Sequence, residues 1–178
     1  MVTNFVLTLT GPDRIGIVDE VTGLLYRRGG NVENSRMARL GGEFAVLMLV
    51  SMPSEQFERL GEGLETLMTQ GYKLTTTEVG RPAASSPPDW LPQRIEVQGA
   101  DHEGIIHEVA HYLSERGINI ESADSESAPA PTSGAPLFSM TARVLVPPAL
   151  AGSDWKAGLE EIGKRLNLDI HVSPLHGR

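Results

Sequence analysis

Residues 4–10, NFVLTLT, alternate apolar and polar side chains, which is the period of a strand with one buried face. Past residue 16 the period lengthens. Ile17, Val18, Val21, Leu24 and Leu25 share one stripe of a helix, and Gly29 with Gly30 gives that helix a left-handed end. Two runs follow, NVENSRMARL and EFAVLMLVSM, joined by Gly41 and Gly42 in the manner of a hairpin. Pro53 and Ser54 open a second helix carrying Phe57, Leu60, Leu64 and Leu67. Gly71 stops it, and YKLTTTEV supplies a last strand.

The same order returns. A shift of 88 positions superposes GPDRIG (11–16) on GADHEG (99–104), aligning Gly11 with Gly99, Asp13 with Asp101 and Gly16 with Gly104. Glu20, Val21, Leu25, Arg28, Gly29, Asn31 and Glu33 meet their identical counterparts Glu108, Val109, Leu113, Arg116, Gly117, Asn119 and Glu121. After six extra residues in the second copy, Phe44 aligns with Phe138 and Pro53 with Pro147. The chain is a duplication. Its second copy ends in a helix near Trp155 to Leu166 and a strand at LDIHV. Between the copies runs GRPAASSPPDWLP (80–92), whose four prolines suit a semi-stiff spacer, with Trp90 expected to dock on a domain. The expected organisation is a first domain at 1–80, a proline-rich linker at 81–92 and a second domain at 93–178. Each domain is expected to be an α+β ferredoxin-like βαββαβ unit, an antiparallel four-stranded sheet with two helices on one face.

The third strands differ between the copies. In the first, Phe44, Val46, Met48 and Val50 point one way, and the opposite face is also apolar, with Ala45, Leu47 and Leu49. The matching positions of the second copy are Ser139, Thr141 and Arg143. A sheet open to water on one side should alternate, so the first domain's outer face is expected to be covered, by another subunit in a homodimer through Ala45, Leu47 and Leu49 or by the chain's own partner domain.

Charge narrows the partners. Lys plus Arg number 15 against 23 for Asp plus Glu, a net charge of −8, and each half is acidic. Neither half offers the basic face that a phosphate backbone requires, so no direct nucleic-acid contact is expected. Cysteine is absent, which excludes disulfides, thiolate metal sites and cysteine nucleophiles. No apolar run approaches the 18 residues of a membrane span, so a soluble, cytoplasmic protein with no membrane partner is expected.

Candidate chemistry lies in the repeated corner. A strand that turns through glycine into a helix leaves backbone N–H groups unpaired at the positive end of the helix dipole, a ready anion site. Gly16 and Gly104 fall in the first helical turn, where a missing side chain lets a ligand approach. Asp13 and Asp101 suit the N-cap. Asn31 and Asn119 begin the second strands and are expected beside the corners, with amides free for a polar ligand. These parts fit a small zwitterion such as an amino acid; turn chemistry alone accounts for the same residues equally well. The spacing matches neither a P-loop nor GxGxxG.

The stretch GPDRIGIVDEVTGLLYRRGGNVENSRMARLGGEF resembles an ACT domain, the amino-acid-binding regulatory module of many metabolic proteins. Two such modules without an attached enzyme, together with NVENSRMARLGGEF, resemble the glycine cleavage system transcriptional repressor family. The resemblance covers nearly the whole chain and is weaker in the second copy, where His102 and Glu103 replace Arg14 and Ile15. It implies a ligand held between two modules by the strand–helix corner and the start of the second strand. That implicates Asp13, Arg14, Ile15, Gly16 and Asn31, and then Asp101, Gly104 and Asn119. It further implies a small amino acid, glycine or serine-like, no cofactor, and control of a DNA-binding transcription activator by protein contact.

Other signals are weaker. HEVAH (107–111) matches the zincin pattern HExxH, but His107 and His111 lie about 100° or more around the helix from Ile106 and no third ligand is evident. APAPTSGAP (128–136) is expected to be a mobile extension of the second hairpin. Arg27, Arg28, Arg36 and Arg39 read as a solvated or ion-paired surface. No nucleophile has an identifiable base and orienting acid, so no catalysis is expected. Three other classes stay open: a regulatory subunit for a metabolic enzyme, a structural dimer whose corners bind nothing, and a zinc hydrolase.

Overall fold

The computed structural model describes residues 1–80, 89–131 and 134–175. The chain divides into two compact units on either side of residues 85 and 86. In the first, β1 (Val2–Pro12) leads to α1 (Ile17–Arg27), β2 (Asn31–Leu40) and β3 (Glu43–Pro53). Then come α2 (Ser54–Glu58), α3 (Leu60–Thr69) and β4 (Lys73–Val79). The strands form one antiparallel sheet in the order β2-β3-β1-β4. The second unit repeats this with β5 (Leu91–Ala100), α4 (Ile105–Glu115), β6 (Asn119–Pro129) and β7 (Pro136–Val146). It closes with a 3-10 turn (Pro148–Leu150), α5 (Trp155–Leu166) and β8 (Leu168–Pro174), in the sheet order β6-β7-β5-β8. These are tandem ferredoxin-like units.

Each unit has its own core, built from one face of the sheet and the apolar stripes of its helices. Phe5, Leu7 and Leu9 of β1 and Met48 and Val50 of β3 are fully buried with Val21 and Leu25 of α1 and Leu60 and Leu67 of α3. Ile95, Val97, Val109, Leu113, Val144 and Leu159 do the same in the second unit. Val46, Met48 and Val50 of β3 face the core as expected, and the opposite face is apolar: Leu47 is 48% exposed, Ala45 is exposed and Leu49 half-buried. On β7 the equivalent Ser139, Thr141 and Arg143 are exposed.

Three local expectations are revised. The second helix of the first unit is broken at Arg59 (φ −96°, ψ 0°), which separates α2 from α3. Leu91 and Pro92 are not spacer: they pair with Val146 and Leu145 as the first rungs of β5. Residues 81–88 of the expected linker lie outside the described residues, and Trp90 is half-buried. The second hairpin also holds more order than a loose extension, because β6 and β7 pair as far as Pro129 and Pro136. Beyond that rung the Ala130 N–H donates to the Ala135 carbonyl at 2.8 Å, while residues 132–133 lie outside the described residues.

Candidate functional site

The two glycines of each repeated corner do different work. Gly11 and Gly99 are the last residues but one of β1 and β5 and make room: a Cβ on Gly11 would stand 2.5 Å from the Tyr72 ring, and one on Gly99 would stand 2.6 Å from the Leu168 side chain. Gly16 and Gly104 are conformational. Both have left-handed backbone, at φ 90° and 89°, and both are the N-cap residues, one position before the helical turn in which sequence spacing puts them. Their carbonyls accept the Glu20 and Glu108 N–H groups at 2.9 and 3.0 Å. Among the described residues no side chain caps either helix.

Asp13 and Asp101 therefore do not cap, contrary to expectation. Three residues separate each from its helix, and each is drawn toward the neighbouring hairpin instead. The Asp13 carboxylate pairs with Arg39 Nε of β2 at 2.9 Å, and its N–H donates to the Gly42 carbonyl. Asp101 accepts the Ser127 hydroxyl of β6 at 2.6 Å, and its N–H donates to the Pro136 carbonyl. The aspartates tie the corner to the sheet's hairpin and leave the first-turn N–H groups without a side-chain acceptor among the described residues.

Position 14 and its counterpart 102 make a second tie, to the end of the unit's last helix. The Arg14 guanidinium donates to Gln70 Oε1 at 2.8 Å just past α3, pairs with Glu20, and lies 5.6 Å from the centre of the Tyr72 ring. Its hydrogen bond to Glu20, above all, raises its pKa beyond the ordinary range. His102 replaces it, with Nε2 3.1 Å from the Leu166 carbonyl at the end of α5 and Nδ1 3.1 Å from the Glu103 carbonyl. The substitution changes the chemistry and keeps the tie. Glu108, the counterpart of Glu20, pairs instead with Arg165 at 2.6 Å, and that hydrogen bond is the first cause of its lowered pKa. Tyr72, Gln70 and Leu166, missed by motif reading, are thus part of the corner scaffold. Only the glycine at 11, wasteful in a strand interior, hinted at a large neighbour.

Ile15 is fully exposed at the tip of the first turn, and Gly16 is open beside it, with nothing within 4 Å of where a Cβ would stand. Gly104 and Glu103 are exposed likewise. A cleft of about 560 Å³ opens at the second corner, lined by Gly99, Ala100, Glu160, Lys164, Asn167 and Asp169 among others.

Asn31 and Asn119 are not beside the corners. Asn31 is level with Ser51 and so with Asn4, whereas the corner leaves the sheet at Pro12, level with Glu43. The eight residues from Asn4 to Pro12 correspond to about 26 Å of strand. Asn119 is level with Leu145 and Pro92, again eight residues from Ala100. The helix between corner and second strand carries the chain back along the sheet, so the two features occupy opposite ends of one unit.

The histidines of HEVAH lie on the exposed side of α4, their rings stacked 5.8 Å apart, with His111 3.5 Å from Glu115. Among the described residues no three His, Asp or Glu side chains converge as a metal site. No described helix is long and apolar enough to cross a membrane.

Residues 3–75, most of the first βαββαβ unit, match the model of the ACT domain family. By that match the first unit is an ACT domain, and the second unit repeats its order of strands and helices. The chain is similar to the glycine cleavage system transcriptional repressors of Escherichia coli (strain K12) and Shigella flexneri, 31% identical over 127 residues to each. That likeness takes in 70% of this chain and 65% of each relative, so the chain spans less than two thirds of their length. Among solved structures, an unknown protein from Galdieria sulphuraria superposes with a TM-score of 0.86 at 32% identity, covering 99% of this chain and all of that one. A proposed glycine cleavage system transcriptional repressor superposes with a TM-score of 0.71 at 20% identity over 99% of both chains, which speaks for the fold.

Proposed function

We propose that this chain is an amino-acid-sensing regulator, not an enzyme, that represses the glycine cleavage system by holding a DNA-binding activator through protein contact. The observation that carries the reading is the pair of helix starts behind left-handed Gly16 and Gly104, each without a side-chain cap among the described residues. Their N–H groups suit a carboxylate, and Arg14 pairs with Glu20, one of the two acidic residues in the first turn of α1. Asp13, Arg14, Ile15 and Gly16 shape the first site and Asp101 and Gly104 the second. Asn31 and Asn119 stand too far from the corners of their own units to reach the same small molecule. They contribute to a site only when the corner belongs to another module. The ligand is a small amino acid, glycine or serine-like, because the turn offers backbone and little side-chain depth.

Thermal unfolding against a panel of amino acids tests this. A bound amino acid at 100 times its dissociation constant adds about 2.7 kcal/mol, and the midpoint rises by several degrees for that amino acid and its nearest analogues. A flat panel removes the sensor reading. The same assay separates a sensor from a structural dimer; co-purification of an enzyme in place of a DNA-binding protein favours the regulatory-subunit alternative.

The open face at Ala45, Leu47 and Leu49 supports the protein contact. Leu47→Asp puts a charge at its centre, beside Thr8 and Arg36 on the adjoining strands. The variant is expected to lose the activator while keeping its own mass in solution. If the mass of the isolated chain falls instead, the face closes a homodimer. If neither changes, the face is not an interface.

A further inference from the structure

α4 carries two histidines one turn apart, His107 and His111, and both are exposed. Their ring centres lie 5.8 Å apart and their planes 11° from parallel, the spacing of residues i and i+4 on a helix surface. Neither ring belongs to the core, which α4 enters through Ile105, Val109 and Leu113. The first unit has Asp19 and Gly23 at the matching positions, so the pair is a feature of the second unit alone. His111 Nε2 lies 3.5 Å from Glu115 Oε1, one further turn along the helix. His111, Glu115 and Glu161 of α5 line one groove of about 410 Å³. Two cations line it as well, Arg116 and Arg165, and each already faces a carboxylate, Glu115 at 3.8 Å and Glu108 at 2.6 Å.

We propose that His107 and His111 chelate one divalent transition-metal ion, of the zinc and copper class, on the surface of α4. Each imidazole supplies one nitrogen, and water fills the remaining positions. Metal–nitrogen bonds of about 2.0–2.1 Å require the two rings to tilt toward each other from the stacked arrangement. Both side chains are exposed, so rotation about their own bonds is enough. Glu115 is placed to accept the second ring N–H of His111 and to hold that ring in a ligating orientation. Two imidazole nitrogens select zinc, nickel and copper over magnesium and calcium, which favour oxygen ligands. The pair binds metal without hydrolytic chemistry. Glu108, at the base position of the HExxH pattern, is held by Arg165, and among the described residues no group of three His, Asp or Glu side chains could hold a metal. The chelate spans the first two turns of α4, directly behind Gly104, and braces the helix start of the second corner.

Calorimetric titration of the full chain with zinc chloride, after stripping with a chelator and dialysis, tests this. The wild type is expected to take up one zinc at the pair, to bind copper(II) more tightly, and to ignore magnesium and calcium. His107→Ala and His111→Ala should each weaken zinc binding by about ten-fold or more, since losing a direct ligand costs no less than losing an outer one. His171→Ala, on β8, should leave it unchanged. Alanine is the best helix former and both positions are exposed, so circular dichroism should stay at wild-type values. Zinc at a saturating concentration should raise the unfolding midpoint of the wild type, because the unfolded chain does not hold the rings together, and should leave that of either variant in place. Two independent single-histidine sites would instead bind two ions, and each variant would keep one at unchanged affinity; that result overturns the chelate. A wild type that takes up no zinc overturns it too, as does uptake that survives both substitutions together or a loss confined to one of the two variants.

Discussion

Tyr72→Ala is expected to lower the stability of the first unit by about 3–5 kcal/mol, the range for deleting a large buried aromatic side chain, and to shift its melting point down by about 10 °C or more. The ring is 3% exposed, lies against Gly11, and its hydroxyl donates to the Pro12 carbonyl at 2.7 Å where β1 leaves the sheet. The Arg14 guanidinium sits over the ring. Removing the side chain empties part of the core and releases the corner at once. Tyr72→Phe keeps the ring and loses only the hydroxyl bond, a cost of about 0.5–1.5 kcal/mol. Urea unfolding of both variants distinguishes packing from hydrogen bonding. If alanine costs no more than phenylalanine, the ring is not what supports the corner. The second unit meets the same close approach differently: Leu168 fills the place beside Gly99, and His102 bonds the end of α5.

The order of elements was legible because it is written locally. Alternation in NFVLTLT, the stripe from Ile17 to Leu25 and the Gly41–Gly42 turn each depend on neighbours within a few residues. The duplication strengthened every reading by stating it twice. What escaped was set by contacts between distant positions. Asp13 looks like a cap when only the next four residues are considered, and becomes a hairpin tie once Arg39 arrives from 26 residues on. Asn31 follows α1 closely in sequence, yet the length of that helix puts it at the other end of the sheet. The strand start at Leu91 was masked by prolines, because Pro92, its second residue, reads as a break in a strand. The outer face of β3 was readable because facing on a strand has period two, and nothing distant was needed to see that Leu47 is apolar where a solvent-facing position should be polar.

Gly16→Ala is expected to cost about 1–2 kcal/mol, the penalty for holding an L-residue in left-handed backbone, and Gly104→Ala the same in the second unit. Because nothing lies within 4 Å of either Cβ position, the cost is conformational and owes nothing to crowding. That separates two effects that a substitution here would otherwise confuse. Gly16→Leu carries the same backbone penalty as alanine, so its unfolding midpoint without ligand should match that of the alanine variant. Its longer side chain, however, stands over the N–H groups at the start of α1. Leucine should therefore abolish the amino-acid-dependent rise in midpoint at the first corner, where alanine weakens it. Calorimetric titration with the amino acid that stabilises the wild type most would show the difference directly. If Gly16→Leu binds as the wild type does, the ligand site is elsewhere and the corner is a turn that glycine makes possible.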